Sequence, residues 1–296
     1  MAGLSAAASR VVADLQETGE MIAFRHTVFA LPFAVIALVT AAAPGWPAPT
    51  TWLWVGVAMV AARTAAMAFN RLADHRIDAE NPRTSGRALP AGRLSRSFAW
   101  AITALSAATL LVAAAALNPL CLALAPAALA VVLGYSFAKR FTAASHLWLG
   151  AALGIAPVGA WVAVTGRFAW PPLVLAIAVC LWVAGFDVIY SLQDESFDRT
   201  HGLYSLPAHL GGRRALAVAR IFHAVALVGF SLFAIVAGAG PLRLLAAAAA
   251  GFLLVWQHRL VSADGLHAVN AAFFTANGVL SVVMGALFVI ARVFAQ

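Results

Sequence analysis

The stretch "PPLVLAIAVCLWVAGFDVIYSLQDESFD" (Pro171–Asp198) joins an apolar run to a short acidic segment. A helix needs roughly 20 apolar residues to cross the hydrocarbon core of a bilayer, and residues 171–191 meet that length. Lipid offers no partners to backbone polar groups, so the segment must be helical. Asp194 and Asp198 are four residues apart and therefore project from one side of a helix. The stretch predicts a membrane-spanning helix that ends in paired carboxylates at one membrane surface.

The rest of the chain repeats this pattern of long apolar runs and short polar breaks. The 296 residues have a mean hydropathy of +0.91 and are 63% hydrophobic, which is more apolar surface than a soluble core can bury. We predict an all-α polytopic membrane protein, a single domain over residues 1–296, with about nine transmembrane helices around a central cavity. The candidate spans are 23–43, 51–69, 98–117, 119–137, 146–165, 171–191, 215–238, 241–257 and 268–291.

Basic residues indicate the orientation of the bundle. If the N-terminus is cytoplasmic, Lys and Arg should concentrate in the N-terminal segment and in the loops after every second helix. Fifteen of the nineteen basic residues lie there. Residues 1–22 lack the apolar core of a signal peptide, and a short amphipathic surface helix is expected. We therefore expect a cytoplasmic N-terminal segment (1–22), cytoplasmic loops at 70–97 and 192–214, location in a bacterial inner membrane, and no nucleic-acid partner.

A second acidic pair repeats the four-residue spacing at the end of the second apolar segment. Asp74 and Asp78 form this pair, and Asn70 extends the row by one turn. Like charges one helical turn apart repel each other, whereas Mg²⁺ binds carboxylate and amide oxygens and leaves positions for phosphate oxygens. Two facing rows would form a two-metal clamp for a diphosphate. The predicted metal ligands and catalytic residues are Asn70, Asp74, Asp78, Asp194 and Asp198, with Mg²⁺ as the cofactor.

The two acidic segments also share a tail. The segment "RALPAG" (Arg87–Gly92) follows the first acidic pair, and "YSLPAHLG" (Tyr204–Gly211) follows the second. This similarity predicts duplicated halves, and internal repeats in membrane proteins often place a shared site between the halves. The second and sixth helices are therefore expected to face one another across the central cavity.

Fixed positive charge is the other requirement of a diphosphate site. Arg binds phosphate through a planar fork and Lys as a point charge. Membrane topology alone also accounts for any one basic residue, so the prediction depends on the whole set around the acidic rows. The predicted diphosphate-binding residues are Arg83, Arg87, Lys139, Arg140 and Arg213.

Four segments together resemble the UbiA superfamily of intramembrane prenyltransferases. They are "NRLADHRID" (70–78), "NPRTSGRALPAG" (81–92), "YSFAKR" (135–140) and "YSLQDESFD" (190–198). The chain is most similar to the 4-hydroxybenzoate polyprenyltransferase branch. The segments "HTVFALPFA" (His26–Ala34) and "NRLADHRIDAENPRT" (Asn70–Thr84) resemble its members of the futalosine route to menaquinone. Many relatives have Asn-Asp where this chain has Asn70-Arg71, which removes one acid from the site.

The resemblance implies a Mg²⁺-dependent reaction at the membrane surface. A polyprenyl group would pass from a polyprenyl diphosphate to the ring of an aromatic acid, either 4-hydroxybenzoate or a dihydroxynaphthoate, in ubiquinone or menaquinone biosynthesis. The implied partners are these two substrates and the lipid bilayer. The isoprenoid tail would lie between apolar helices, where a dry cavity protects the allylic cation from water.

Two charges lie within the predicted membrane spans. Arg63 and Asp187 are each seven residues, or two turns, from the acidic rows, and buried charges of this kind usually face a functional cavity. One hypothesis is that Arg63 binds the carboxylate of the acceptor while Asp187 or Tyr190 polarises its hydroxyl. The alternative is a structural salt bridge between Arg63 and Asp187.

Two other classes of membrane protein share some of these features. A multi-pass transporter also has internal repeats and intramembrane charges, but it places polar groups near the membrane midplane rather than at one face. The CDP-alcohol phosphotransferases also use repeated aspartates, but their D-G-x-x-A-R opening is missing from this sequence. Both alternatives are therefore weaker than the prenyltransferase interpretation.

Overall fold

The computed structural model of the chain describes residue 19 and residues 27–261 and 269–295. The described residues contain helices and no β-strand, which confirms the predicted all-α fold. Except for residue 19, the predicted surface segment 1–22 lies outside the described residues, as does His26. Nine helices of 15 or more residues occur in the described ranges: α1 (Thr27–Ala41), α2 (Pro49–Ala73), α3 (Arg96–Leu117), α4 (Pro119–Ala138), α5 (Ser145–Thr165), α6 (Pro171–Ser191), α7 (Gly212–Val236), α8 (Pro241–Leu260) and α9 (Asn277–Val293).

Seven of these helices are long and apolar enough to cross a membrane: α2 to α7, and α9 together with the preceding turn from Ala272. Helix α1 is apolar but shorter over its described part, Phe29–Ala41. Helix α8 carries Arg243 near its start and His258 and Arg259 in its last turn, which shortens its apolar stretch. The polytopic fold is confirmed, whereas the count of nine transmembrane helices is not.

Proline and asparagine mark several helix starts. Helices α2, α4, α6 and α8 begin with Pro, whose missing N–H is not needed in the first turn. The Asn118 side chain accepts a hydrogen bond from the Cys121 amide at the start of α4. Its amide also donates to the Val162 carbonyl of α5 at 2.9 Å. This residue therefore both caps α4 and ties it to α5.

Small residues set the spacing between α5 and α6. A Cβ atom on Gly150 would lie 2.1 Å from the Cys180 carbonyl oxygen, and one on Gly154 would lie 2.8 Å from the Ala176 carbonyl oxygen. These distances are shorter than any real contact, so only glycine permits this approach. Close packing through small residues is the usual way in which membrane helices associate.

Helix α6 lies in the most aromatic part of the core. It packs against α5 and α7, and its Trp182 and Phe186 contact Phe29 and Phe33 of α1. Nearly every residue of α6 after Val183 is buried. These large side chains fill the space on this side of the bundle.

A cavity of about 440 Å³ is present in the described part of the chain, but its walls are not those expected of the predicted central cavity. They come from α2, α3, α4 and α5, with Ala30 of α1 and Phe168 of the α5–α6 loop, and include no residue of α6. The expectation that α2 and α6 face one another across this cavity is therefore wrong. The aromatic packing around α6 explains why the open space lies on the other side of α5.

Candidate active site

The two acidic segments have a similar local backbone, which the sequence did not reveal, although a 3₁₀ turn (Leu192–Asp194) precedes the short helix only in the second. We call Asn70, Asp74 and Asp78 the first motif and Asp194 and Asp198 the second motif. In each motif a long helix ends before the first aspartate, and a separate six-residue helix follows, His75–Glu80 or Glu195–Thr200. The first aspartate is the N-cap of the short helix, and the second lies in its first turn. The acidic rows are therefore broken helices, and the break repeats in both halves.

In the first motif, basic side chains contact every acid. Arg87 donates to both carboxylate oxygens of Asp78 at 2.7 and 2.8 Å. Arg140 donates to Oδ1 of Asp74 at 3.2 Å, and the Asn70 amide donates to Oδ2 at 2.8 Å. Lone pairs that a metal ion would use are thus engaged by nitrogen donors. Arg87 and Arg140, which were predicted to bind diphosphate, contact the acids of the first motif in this structure.

In the second motif, the two aspartates differ from each other. Arg83 donates to Asp194 through Nε at 2.8 Å and through Nη2 at 2.6 Å, and the Asn81 amide adds a hydrogen bond of 3.2 Å. Asp198 instead faces Lys139, with 3.5 Å between Nζ and Oδ2. Because Asn81 and Arg83 follow the first motif in the chain, these bonds bring the two motifs together.

In the described part of the chain, Asp198 has a buried carboxylate oxygen that accepts no hydrogen bond. The residue is 2% exposed, and its Oδ2 atom has no hydrogen-bond partner among the described residues. A buried carboxylate oxygen without a donor is costly, so it marks a place where a cation or a hydrogen-bonding ligand fits. This is the same oxygen that lies 3.5 Å from the Lys139 ammonium, so it has a charged neighbour but no hydrogen bond.

A metal centre made of acids alone is absent from the described part of the chain. No three His, Cys, Asp or Glu side chains there converge on one point, because guanidinium groups lie between the carboxylates. The donor set still suits a hard cation, since it consists of carboxylate and amide oxygens, one of which, Asp198 Oδ2, has no hydrogen bond among the described residues. The residues therefore fit Mg²⁺ when a ligand supplies the remaining oxygens.

Burial and charge set the ionisation of two groups at this end of the bundle. Burial raises the pKa of the Asp74 carboxyl above its usual value, and the hydrogen bond from Arg140 opposes the shift. Burial lowers the pKa of the Lys139 ammonium, but the carboxylates of Asp198 and Asp187 outweigh it and raise the pKa overall. Lys139 is therefore a fixed positive charge, whereas Arg140 offsets part of the effect of burial on Asp74.

The remaining predicted diphosphate residue, Arg213, lies in the first turn of α7 and is exposed. Its role stays a prediction. The other four, Arg83, Arg87, Lys139 and Arg140, all contact an acid of one motif.

The three residues predicted to bind the acceptor have separate partners. Arg63 lines the cavity, together with Asn70 and Tyr135. The Tyr190 hydroxyl accepts a hydrogen bond of 3.1 Å from Arg83, whose guanidinium also lies 5.4 Å from the Tyr190 ring centroid. Asp187 contacts His146.

Asp187 pairs with His146, a residue that the sequence analysis missed. The Asp187 Oδ2 atom lies 2.7 Å from His146 Nδ1, and the histidine is fully buried. His146 Nε2 accepts a hydrogen bond of 3.2 Å from the Leu206 amide, so Nδ1 carries the proton and donates it to Asp187. A histidine at the motif end of an apolar helix is costly unless it is paired, and that was the available signal.

The cavity extends from Asn70 of the first motif into the apolar interior of the bundle. It follows α2 from Val55 to Asn70, which is about 22 Å at 1.5 Å per residue. Most of its lining is alanine, leucine, valine and methionine, and the first motif lies at one end. An amphiphile with a charged head and an apolar tail matches this arrangement.

The fold and the site together define an integral membrane enzyme with a charged site at one end of an apolar cavity. A profile of the UbiA prenyltransferase family matches residues 30–279, and the chain belongs to this family. It is therefore a membrane prenyltransferase, and the resemblance found in the sequence is confirmed.

Individual relatives differ in the names of their reactions. The chain is 29% identical over 240 residues to a 4-hydroxybenzoate octaprenyltransferase of Citrobacter koseri, covering 80% of this chain and 81% of the relative. It is 35% identical over 229 residues to a protoheme IX farnesyltransferase of Clavibacter michiganensis, covering 73% and 72%. The family is thus clear, whereas the acceptor differs among its relatives.

Solved structures agree with the fold. A UbiA homologue from Aeropyrum pernix K1 superposes with a TM-score of 0.82 at 35% identity, covering 90% of this chain and 98% of that one. A UbiA homologue from Archaeoglobus fulgidus, bound to GPP and Mg²⁺, has a TM-score of 0.75 at 18% identity, with coverage of 94% and 99%. At that lower identity the second comparison supports the fold alone.

Proposed function

We propose that this protein transfers a polyprenyl group from a polyprenyl diphosphate to the ring of an aromatic acid, in a Mg²⁺-dependent reaction of ubiquinone or menaquinone biosynthesis. One observation carries the proposal: Asn70 lines the end of an apolar cavity of about 440 Å³ and donates a hydrogen bond to Asp74, in a cluster of acids and basic residues that Arg83 links to Asp194 of the second motif. The 4-hydroxybenzoate octaprenyltransferase relatives support an aromatic acid as the acceptor.

Mg²⁺ is proposed to bind at the acidic motifs. The residues that would hold it are drawn from the predicted set of Asn70, Asp74, Asp78, Asp194 and Asp198. When bound, the ion supplies positive charge to the diphosphate leaving group. The archaeal homologue bound to GPP and Mg²⁺ supports a divalent ion in this fold.

The basic residues of the site stabilise the leaving group. Arg83, Arg87, Lys139 and Arg140 now contact carboxylates, and an entering diphosphate offers them further negative oxygens. These donors are held in place before the reaction, so they stabilise developing charge without reorganisation. Arg213 is assigned the same role from the sequence.

The bond changes follow from this arrangement. The bond between the prenyl carbon and the diphosphate oxygen breaks, and its electron pair leaves with the diphosphate. The ring carbon of the acceptor attacks the allylic cation and then loses its proton, which restores aromaticity. The apolar wall around the tail, including Met59 and Leu153, excludes water that would quench the cation.

The acceptor is proposed to bind near the first motif. Arg63 on the cavity wall would hold its carboxylate, and Asp187 or Tyr190 would polarise its hydroxyl. His146 orients the Asp187 carboxylate through a hydrogen bond of 2.7 Å. We also infer that the protein lies in a bacterial inner membrane with its N-terminus and this site facing the cytoplasm, as the distribution of Lys and Arg indicates.

A panel of acceptors tests the proposal. Purified full-length protein is incubated with Mg²⁺, a polyprenyl diphosphate and, separately, 4-hydroxybenzoate, a dihydroxynaphthoate or protoheme IX. We expect a prenylated product, detected by mass spectrometry, with one of the two aromatic acids. Product with protoheme IX alone would contradict the proposed acceptor class and favour the reaction named for the Clavibacter relative.

A further inference from the structure

Arg71 lies inside the first motif although it was not among the predicted site residues. Its Nη1 atom donates to the Asn70 amide oxygen at 3.2 Å and lies 3.8 Å from Oδ2 of Asp78. The side chain is 12% exposed. A guanidinium group stays protonated in proteins, so a permanent positive charge sits between two oxygens that were predicted to bind metal.

The charge of Arg71 is not needed to neutralise Asp78, because Arg87 already pairs with that carboxylate. Asp78 already receives two short hydrogen bonds from Arg87, which form a nearly complete ion pair. Arg71 is therefore a second guanidinium beside one carboxylate, and the cluster of Arg71, Arg87 and Arg140 with Asp74 and Asp78 carries a net charge of +1. A cluster of this kind attracts an anion and repels a divalent cation.

The second motif has no equivalent group among the described residues. Asp198 faces only the Lys139 ammonium, at 3.5 Å, and one of its oxygens has no hydrogen bond. A divalent ion that enters the site therefore meets less positive charge beside Asp198 than beside Asn70 and Asp78.

We propose, on the basis of the proposed function, that Arg71 is the resident cation of the first motif. Its positive charge takes the role that a divalent ion would have beside the oxygens of Asn70 and Asp78. Its contacts also hold these two side chains in position. Divalent ions then bind on the side of Asp198. The chain binds one divalent ion fewer with its prenyl diphosphate than the same chain would with a carboxylate at position 71.

Counting bound Mn²⁺ by electron paramagnetic resonance tests this directly. The full-length protein is titrated with Mn²⁺ in the presence of a non-reactive prenyl thiolodiphosphate. We expect Arg71→Asp to bind one more Mn²⁺ per chain than the unsubstituted protein, and Arg71→Lys to keep the original count. An unchanged count in Arg71→Asp would overturn the proposal.

A matched control separates position from overall charge. Arg76 lies on the short helix His75–Glu80 and is exposed, and Arg76→Asp changes the net charge by the same amount. We expect the original Mn²⁺ count in this variant. An extra ion in Arg76→Asp as well would show that general charge, not the location of Arg71, sets the count.

A milder variant covers the case in which Arg71→Asp does not fold, as judged by size exclusion and thermal unfolding. Arg71→Gln removes the positive charge without adding a negative one, and we expect it to bind Mn²⁺ about tenfold more tightly. Unchanged affinity would overturn the proposal. The Mn²⁺ count does not depend on turnover. If the protein transferred no prenyl group to any acceptor, the proposed function would be refuted, but the Mn²⁺ count would still test the role of Arg71.

Discussion

The two acidic motifs have a similar backbone and differ in their electrostatic neighbours. Each has an N-cap aspartate followed by a second aspartate in a six-residue helix. Around the first motif, guanidinium groups engage the oxygens of Asp74 and Asp78, whereas Asp198 keeps a buried oxygen with no hydrogen bond among the described residues. The repeat in sequence therefore does not produce equivalent sites. Metal binding is expected to be asymmetric, with the second motif more open to the ion.

The largest difference between the two motifs is expected when one aspartate in each is substituted. We expect Asp198→Asn to reduce kcat/KM roughly 100- to 1000-fold, the usual loss when a group that stabilises transition-state charge is removed. Asp78→Asn should cost only about tenfold, because Arg71 and Arg87 both remain beside it. Steady-state kinetics of diphosphate release compares the two variants.

A control in the same short helix accompanies that measurement. Glu195→Gln removes one negative charge three residues from Asp198, where Glu195 pairs only with Arg199 among the described residues. It should leave kcat/KM within about twofold, since surface ion pairs contribute little. Equal losses for Asp198→Asn and Asp78→Asn would show that the motifs are equivalent after all.

Removing one arginine beside each motif sharpens the comparison further. Arg83→Gln removes the two-pronged bond to Asp194 and the link between the motifs, and we expect the KM for prenyl diphosphate to rise about 30-fold. Arg87→Gln should raise it only about threefold, because Arg71 still faces Asp78. Initial rates at varied prenyl diphosphate concentration give both values.

A lysine at position 83 tests whether the two parallel hydrogen bonds to Asp194 matter in addition to the positive charge. Arg83→Lys keeps the charge but cannot form two parallel hydrogen bonds, so it should recover only part of the affinity. Full recovery would mean that charge alone matters and that the bond from Arg83 to Asp194 is incidental.

Arg63 tests whether the cavity side of the first motif binds the acceptor. We expect Arg63→Ala to raise the acceptor KM about tenfold, the loss of one charge-assisted hydrogen bond, with little change in the KM for prenyl diphosphate. Kinetics with each substrate varied in turn separates the two constants. Equal changes in both would favour a structural role for Arg63.

At His146 we expect an effect on stability rather than on binding of the prenyl diphosphate. His146→Ala leaves the Asp187 carboxylate and the Leu206 amide without their partner, which should cost about 2 kcal/mol of unfolding free energy. The KM for prenyl diphosphate should change less than in Arg83→Gln, because His146 contacts neither motif directly. Thermal unfolding in detergent measures the first effect, and a melting temperature equal to that of the unsubstituted protein would contradict it.

The sequence predicted those features that depend on local composition. Apolar length located the long helices, and the spacing of Asp74, Asp78, Asp194 and Asp198 indicated the candidate site, because both are properties of short stretches. The resemblance to UbiA proteins then supplied the reaction. The break before Asp74 was missed, since no Pro or Gly marks it and the four-residue spacing suits one continuous helix.

Features that depend on distant residues could not be predicted. The cavity lies among α2 to α5 because Gly150 and Gly154 let α5 approach α6 while aromatic rings fill the other side. The pairing of Asp187 with His146, and of Asp194 with Arg83, joins residues 41 and 111 positions apart. No periodicity in the chain encodes such contacts.

The Mg²⁺ dependence of diphosphate release tests the central claim most directly. Purified protein receives a polyprenyl diphosphate and an aromatic acid, and released diphosphate is followed as Mg²⁺ is removed with EDTA and then restored. We predict that release and ring prenylation stop together on chelation, return with Mg²⁺, and do not return in Asp198→Asn. Full turnover under complete chelation would contradict the account.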